Sequence, residues 1–242
     1  DTAVGIEIGG EGLELEGAFS RDGQAVDPAE HDVLRRSLLV GVLCNNAALQ
    51  KDEDGGDPST VGEPTEVALL VAGEKAGIER QALTDEMPEV REVAFDPEVK
   101  MMATFHERRD GGEGFFVAVK GALEPVIKAS SHILTAEGER ELTDEERQAW
   151  IERNETLAEQ GLRVISMATR TAESEDEDPY HDLTFLGLHA LLDPPRGDVR
   201  DSIKAAQDAG VRVVMVTGDQ PATARNVAQA VGLVDTADAE VI

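Results

Sequence analysis

The chain has 242 residues, of which 50 are Asp or Glu and 22 are Lys or Arg, giving a formal charge of −28. That balance excludes a nucleic-acid partner, because phosphate binding needs clustered basic side chains that displace counterions, and an anionic membrane surface would repel the chain too. Hydrophobic residues make up 40%, enough for a globular core, so the acid belongs on the surface of a folded molecule.

Only six of the basic residues are Lys and aromatics are 3%. Low Lys with extreme acidity suits a protein kept soluble in concentrated salt, where self-repulsion is screened within about 3 Å at 1 M. Cys44 is the single cysteine, which excludes an intrachain disulfide and a multi-cysteine zinc site and points to a reducing compartment. No apolar run approaches the roughly 18 to 20 residues that cross a bilayer, and no basic segment followed by an apolar stretch opens the chain. As given, the chain reads as soluble.

The first 25 residues alternate glycine with apolar and acidic residues, predicting short strands joined by glycine turns. Pro28 introduces a helical stretch whose apolar stripe runs through Leu34, Leu38 and Val42. Lys51 to Ser59 is a polar loop. It imitates a calcium loop only superficially, since Gly56 stands at the third ligand position. Pro64 opens a second helix with Val67, Leu70 and Val71 on one face, stopped by Gly77. Strands follow at Glu92 to Phe95, Met101 to Phe105 and Phe115 to Lys120, with Gly111 and Gly112 as the turn between the last two.

Thr143 and Glu146 form a capping-box pattern that opens a helix through Trp150 and Leu157, stopped by Gly161. Leu162 to Ala168 is a strand, the acidic run Glu173 to Asp178 a solvated loop, and Leu183 to Leu192 a buried strand broken by Pro194 and Pro195. Val199, Ile203 and Ala206 mark a helix ending near Gly210. Val211 to Val216 has the pattern of a parallel strand buried on both faces, and Thr217-Gly218-Asp219 turns into a last helix closed by Gly232. Strand and helix alternating at this pitch is a parallel α/β unit.

Seven segments then resemble, in order and spacing, the cytoplasmic part of a type II, calcium-pump-like P-type cation-transporting ATPase. They are Leu43-Cys-Asn-Asn-Ala47, Gly62-Glu-Pro-Thr-Glu66, Phe95 through Lys100-Met-Met102-Ala-Thr, Val119-Lys-Gly-Ala-Leu-Glu124, Gly161-Leu-Arg-Val164, Leu192-Asp-Pro-Pro-Arg196 and Val213-Val-Met-Val-Thr-Gly-Asp219. The resemblance implies an α/β chain. A nucleotide-binding domain over residues 1–191, with a central antiparallel sheet flanked by helices, would join a hinge and partial Rossmann-like, HAD-type phosphorylation domain over 192–242. ATP and Mg2+ are the implied cofactors, with the Mg2+ ligands outside this chain. The implied partners are the remaining phosphorylation, actuator and transmembrane domains of the same pump, at the cytoplasmic face of the cell membrane.

By the same resemblance Phe95 stacks on adenine, Glu66 accepts from the adenine amino group, and Lys120 with Gly121 lies deep in the adenosine pocket. Lys100, Arg163 and Arg196 reach toward the nucleotide, Met102 lies in the same segment, and Thr217, Gly218 and Asp219 contact the transferred phosphate. On pattern alone each has a plainer reading. Lys120 ends a strand as a snorkelling surface charge, Phe95 is a core aromatic, Glu66 is an acid favoured near a helix N-terminus, and Arg163 is a strand-edge ion-pair partner. Asp219 is a helix cap.

Two departures stand out. Leu123 replaces the proline usual in the resembled family after Lys-Gly-Ala, and Pro97 falls between Phe95 and Lys100, where it suits a turn. There is no Walker A sequence, so ATP would be held by side chains. Neither Asp-Lys-Thr-Gly-Thr, which carries the phosphorylated aspartate, nor Thr-Gly-Asp-Gly-Val-Asn-Asp, which holds magnesium, occurs in the sequence. Both are expected to flank it, so the chain by itself should bind nucleotide without turnover. The competing class is a free-standing nucleotide-binding regulatory module or an inactive phosphatase-like domain.

Overall fold

The computed structural model describes residues 5–10, 12–50, 58–109, 112–192, 198–217 and 221–234. In chain order the elements are β1 (Glu7–Ile8), β2 (Phe19–Arg21), β3 (Gln24–Val26), α1 (Asp32–Leu43), β4 (Ala48–Gln50), β5 (Ser59–Val61), α2 (Pro64–Lys75), α3 (Arg80–Glu86), β6 (Glu89–Asp96), β7 (Met101–Glu107), β8 (Phe115–Gly121), α4 (Leu123–Ala129), β9 (Ser130–Thr135), β10 (Gly138–Glu141), α5 (Asp144–Glu159), β11 (Arg163–Ala172), β12 (Leu183–Leu191), α6 (Val199–Asp208) and α7 (Pro221–Ala230). The result is the mixed α/β class expected, with one large sheet flanked by helices.

Residues 1–147 and 165–189 form a first compact unit. Its seven-stranded sheet has the order β10-β9-β12-β11-β8-β7-β6. The ladders joining β6 to β7, β7 to β8, β8 to β11 and β9 to β10 are antiparallel, whereas β12 runs parallel to β9. Strands β6 to β8 are a meander whose apolar and β-branched residues suit a pleated, covered surface. Met101 to His106 are buried on both faces of β7, as an interior strand requires.

α2 and the C-terminal half of α1 are apolar nearly all round, and the packing shows why. On one side Val40, Leu43, Cys44 and Leu69 meet Met102, Ala118 and Met167 of the large sheet. On the other, Leu38, Val42, Val67, Leu70 and Val71 pack with Phe19, and Ile6, Ile8, Leu13, Leu15 and Val26 close over them from the N-terminal segment. The two helices are thus an inner layer between the large sheet and the β1-β2-β3 sheet. Gly73 permits their close approach, since a Cβ there would collide with Val42.

The early Leu13-Glu-Leu-Glu stretch forms no strand; its leucines serve this inner layer instead. The hairpin β9–β10 and the helices α3 and α4 carry no strong sequence pattern and are found only in the structure. The capping box is formed: the Thr143 N–H donates to Glu146 Oε2 at 3.2 Å, and the Glu146 N–H donates to Thr143 Oγ1 at 3.3 Å. Arg140 completes it, donating to Glu146 Oε1 at 2.5 Å, and holds the Glu146 carboxyl down at about 2 with help from Thr143.

Residues 148–164 and 190–242 form a second unit, which holds most of α5 together with α6 and α7. α5 stops at Gly161, where the N–H groups of Gly161 and Leu162 return to the carbonyls of Ala158 and Leu157. The expected strand at Val211 to Val216 is not present. Those residues have no regular structure, and Val211, Val214 and Val216 are 56%, 67% and 92% exposed. A strand buried on both faces needs hydrogen-bonding neighbours and two covering layers, and the second unit offers that segment none among the described residues. Residues 51–57 of the polar loop, Gly111 of the expected turn, and the hinge from Asp193 to Arg196 lie outside the described residues. No helix among the described residues is long and apolar enough to cross a membrane.

Candidate functional site

Strand register gathers several of the expected residues at one end of the large sheet. Asp96 lies opposite Met101, Met101 opposite Gly121, and Gly121 opposite Ser166. Phe95 is next to Asp96 at the end of β6. One step inward, Lys120 lies between Met102 on β7 and Met167 on β11. Lys120 therefore points to the face covered by α1 and α2, together with Ala118.

That placement corrects the plainer reading of Lys120 as a surface charge. Its side chain is 10% exposed and its Nζ donates to Glu66 Oε1 at 2.5 Å. Glu66, 15% exposed, reaches it from the first turn of α2. A lysine removed from water needs such a counterion, because an uncompensated buried charge is costly. The α2 N-terminus, preceded by Pro64 at the first helical position, delivers the carboxylate to where β8 ends.

Beneath the pair lies Cys44, fully buried, with its Sγ donating to the Met102 carbonyl at 3.5 Å. Burial pushes the Cys44 thiol up to about 11, with Lys120 pulling the other way, so it sits there as a neutral group. Arg80, at the start of α3, donates from Nη1 to the Ala47 carbonyl at 2.9 Å. Burial lowers its pKa, while the Glu89 and Glu66 carboxylates oppose that fall.

Phe95 departs from its plainer reading in the opposite sense: its ring is 57% exposed and joins no core. Between Asp96 and Lys100 the chain turns tightly. Asp96 Oδ1 accepts from the Glu98 N–H at 2.8 Å and its carbonyl from the Lys100 N–H at 2.6 Å. The turn forces Lys100 to φ 57°, a left-handed conformation that costs a side-chain-bearing residue free energy. The Lys100 carbonyl then accepts from the Ala122 N–H at 3.0 Å, passing so close to Gly121 that a Cβ there would strike it. Gly121 is thus required by the backbone of the sheet itself, a reason additional to any ligand.

Glu66, Phe95, Lys100, Met102, Lys120 and Gly121 are brought to one end of one sheet. Arg163 opens β11 with its side chain exposed, and Thr217 is exposed; both belong to the second unit. Arg196, Gly218 and Asp219 lie outside the described residues. The pattern of residues missed Asn45 and Arg80. Leu43-Cys-Asn-Asn-Ala47 stood out as a segment, but only packing shows that Asn45 is fully buried between α1 and α2. Asn46, its neighbour, is tied to β6 through Glu92 at 2.8 Å.

Residues 33–198 match a family profile described as P-type ATPase, cytoplasmic domain N. The chain is 35% identical over 96% of its length to the cation-transporting ATPase pma1 of Synechocystis sp., covering 26% of that protein. It is 35% identical over 92% of its length to a calcium-transporting ATPase of Bacillus subtilis, covering 25% of it. To the sodium/potassium exporting P-type ATPase cta3 of Schizosaccharomyces pombe it is 34% identical over 86% of its length, covering 20% of that protein. The chain thus spans about a quarter of the length of the first two.

Proposed function

Because the chain belongs to the P-type ATPase family, as its cytoplasmic domain N, we propose that it binds ATP at the end of the large sheet where Lys120 meets Glu66. The observation that carries this reading is the contrast between neighbours. A lysine is buried on a carboxylate, while a phenylalanine next to the adjoining cross-strand row is left exposed. An exposed ring is a stacking surface for a base, and a carboxylate at the same end of the sheet accepts from an amino group.

In this reading Phe95 stacks on adenine and Glu66 accepts from its amino group. Lys120 holds Glu66 and adds positive charge, and Lys100 reaches the phosphates from its strained turn. Arg163, Arg196 and the Thr217-Gly218-Asp219 segment are the further residues this reading assigns to the nucleotide. Residues 1–191 are the nucleotide-binding domain, and 192–242 the hinge with part of the phosphorylation domain. In the intact pump the γ-phosphoryl of ATP, accompanied by Mg2+ whose ligands lie elsewhere, passes to an aspartate. Phosphoryl transfer depends on positioning and charge stabilisation, and the positioning is this domain's share. The cycle drives cation transport, with calcium as one candidate ion.

The test is calorimetric titration of the 242-residue chain with ATP. Base–aromatic stacking contributes about 1–3 kcal/mol, so Phe95→Ala weakens binding by roughly fivefold to 150-fold, and Lys120→Ala weakens it as well. Undiminished affinity in both variants would overturn the site. Since the sequence has no Asp-Lys-Thr-Gly-Thr, the same chain turns over no ATP; sustained magnesium-dependent hydrolysis contradicts that part.

A further inference from the structure

We infer that Asn45 is a positioning residue for base selectivity, acting by fixing the main chain of Glu66; this rests on the ATP-binding reading. Asn45 follows α1 and is fully buried. Its Nδ2 donates to the Gly41 carbonyl in the last turns of α1 at 3.0 Å and to the Glu66 carbonyl in the first turn of α2 at 2.9 Å. Its Oδ1 accepts from the Ala47 N–H at 2.9 Å. Both amide protons are used, and they join two helices at the residue whose side chain faces the base.

Arg80 holds the same segment from the other side through the Ala47 carbonyl, and its charge acts on Glu66. Glu66 is therefore fixed at its carbonyl by Asn45 and at its carboxylate by Lys120. With Oε1 on Lys120, Oε2 retains acceptor capacity. An acceptor so placed favours a purine with a 6-amino group and disfavours one with a 6-oxo group, whose oxygen it repels. Such discrimination needs the carboxylate held within about 0.5 Å, whereas stacking on Phe95 and the reach of Lys100 tolerate more. No side chain but Asn combines two short donors and an acceptor at this distance from the backbone; Ser keeps one polar atom and cannot bridge both carbonyls.

The experiment compares dissociation constants of ATP and inosine triphosphate for wild type, Asn45→Ser and Glu66→Gln, using the 242-residue chain with circular dichroism as the fold control. A hydrogen bond of ordinary strength corresponds to about a tenfold preference, so wild type favours ATP by about that factor. Asn45→Ser removes most of the preference while its affinity for inosine triphosphate stays within about twofold. Equal weakening of both nucleotides, with the preference kept, means Asn45 is only structural and overturns the inference.

The underlying reading fails separately. If wild type shows no preference, or Glu66→Gln leaves it intact, Glu66 does not face the base, and the role of Asn45 falls with it. Should Asn45→Ser not fold, the side-chain amide resonances of Asn45 in 15N-labelled wild type supply the answer. They shift with ATP and not with inosine triphosphate, and an equal response to both overturns the inference.

Discussion

At the scale of the residue, the pair Lys120 and Glu66 supports two predictions. Removing one member of a buried pair leaves the other uncompensated. Such a loss costs about 3–5 kcal/mol when burial is complete, and with 10% and 15% of these side chains exposed we expect about 2–3 kcal/mol for Lys120→Met in urea unfolding. The double variant with Glu66→Gln recovers part of that, and a double-variant loss equal to the sum of the two single losses would show the pair to be uncoupled.

Lys100 behaves differently. At φ 57° glycine removes a strain of about 1–2 kcal/mol but adds unfolded-state entropy of about 0.4–1 kcal/mol. Lys100→Gly therefore keeps or raises stability by up to about 1.5 kcal/mol while weakening ATP binding. A clear loss of stability would remove the functional explanation for the strained residue. Spacing alone could not have found the pair: Glu66 and Lys120 are 54 positions apart, and only the crossing of α2 over β8 joins them.

At the scale of the element, two histidines link packing to pH. His106 on β7 donates from Nδ1 to the Met87 carbonyl at 3.0 Å and accepts at Nε2 from the Thr104 hydroxyl at 2.8 Å. His189 on β12 meets Ser37 of α1 at 2.7 Å. Burial lowers both imidazoles from about 6.5 to about 4. A depressed histidine stays neutral in the fold while the unfolded chain takes up a proton. Its contribution is complete above about pH 6.5 and is lost as pH falls toward 4.

Each histidine removes about 1 kcal/mol by pH 5.5 and about 3 kcal/mol by pH 4. Urea midpoints should fall through that range, with His106→Gln flattening the fall; an unchanged midpoint between pH 7 and 5 contradicts it. Elements with a strong pattern were legible: α1 and α2 from apolar positions and Pro64, α5 from its capping box. The hairpin β9–β10 was not, because Gly138-Glu-Arg-Glu141 presents only polar residues on an edge strand. Val211 to Val216 misled for the reverse reason. Its β-branched run records what the segment prefers, whereas a strand also needs neighbours.

At the scale of the molecule, the charge of −28 makes the fold repel itself. Screening that repulsion stabilises the compact state, so the urea midpoint should rise from 0.1 to 1 M KCl, and a falling midpoint would refute a salt-adapted surface. Nucleotide affinity should respond less simply, since salt weakens the long-range repulsion of ATP and also the local attraction of Lys100 and Lys120. The parallel pairing of β12 with β9 bears on how the protein is made. Leu183 pairs with Ser130, 53 residues earlier. At synthesis rates of about 5–20 residues per second, β9 waits roughly 3–10 seconds on the ribosome before its parallel partner β12 emerges, and β8 waits likewise for β11. For that interval the nascent chain holds Lys120 within a half-built sheet with open edges, a stage suited to chaperone engagement.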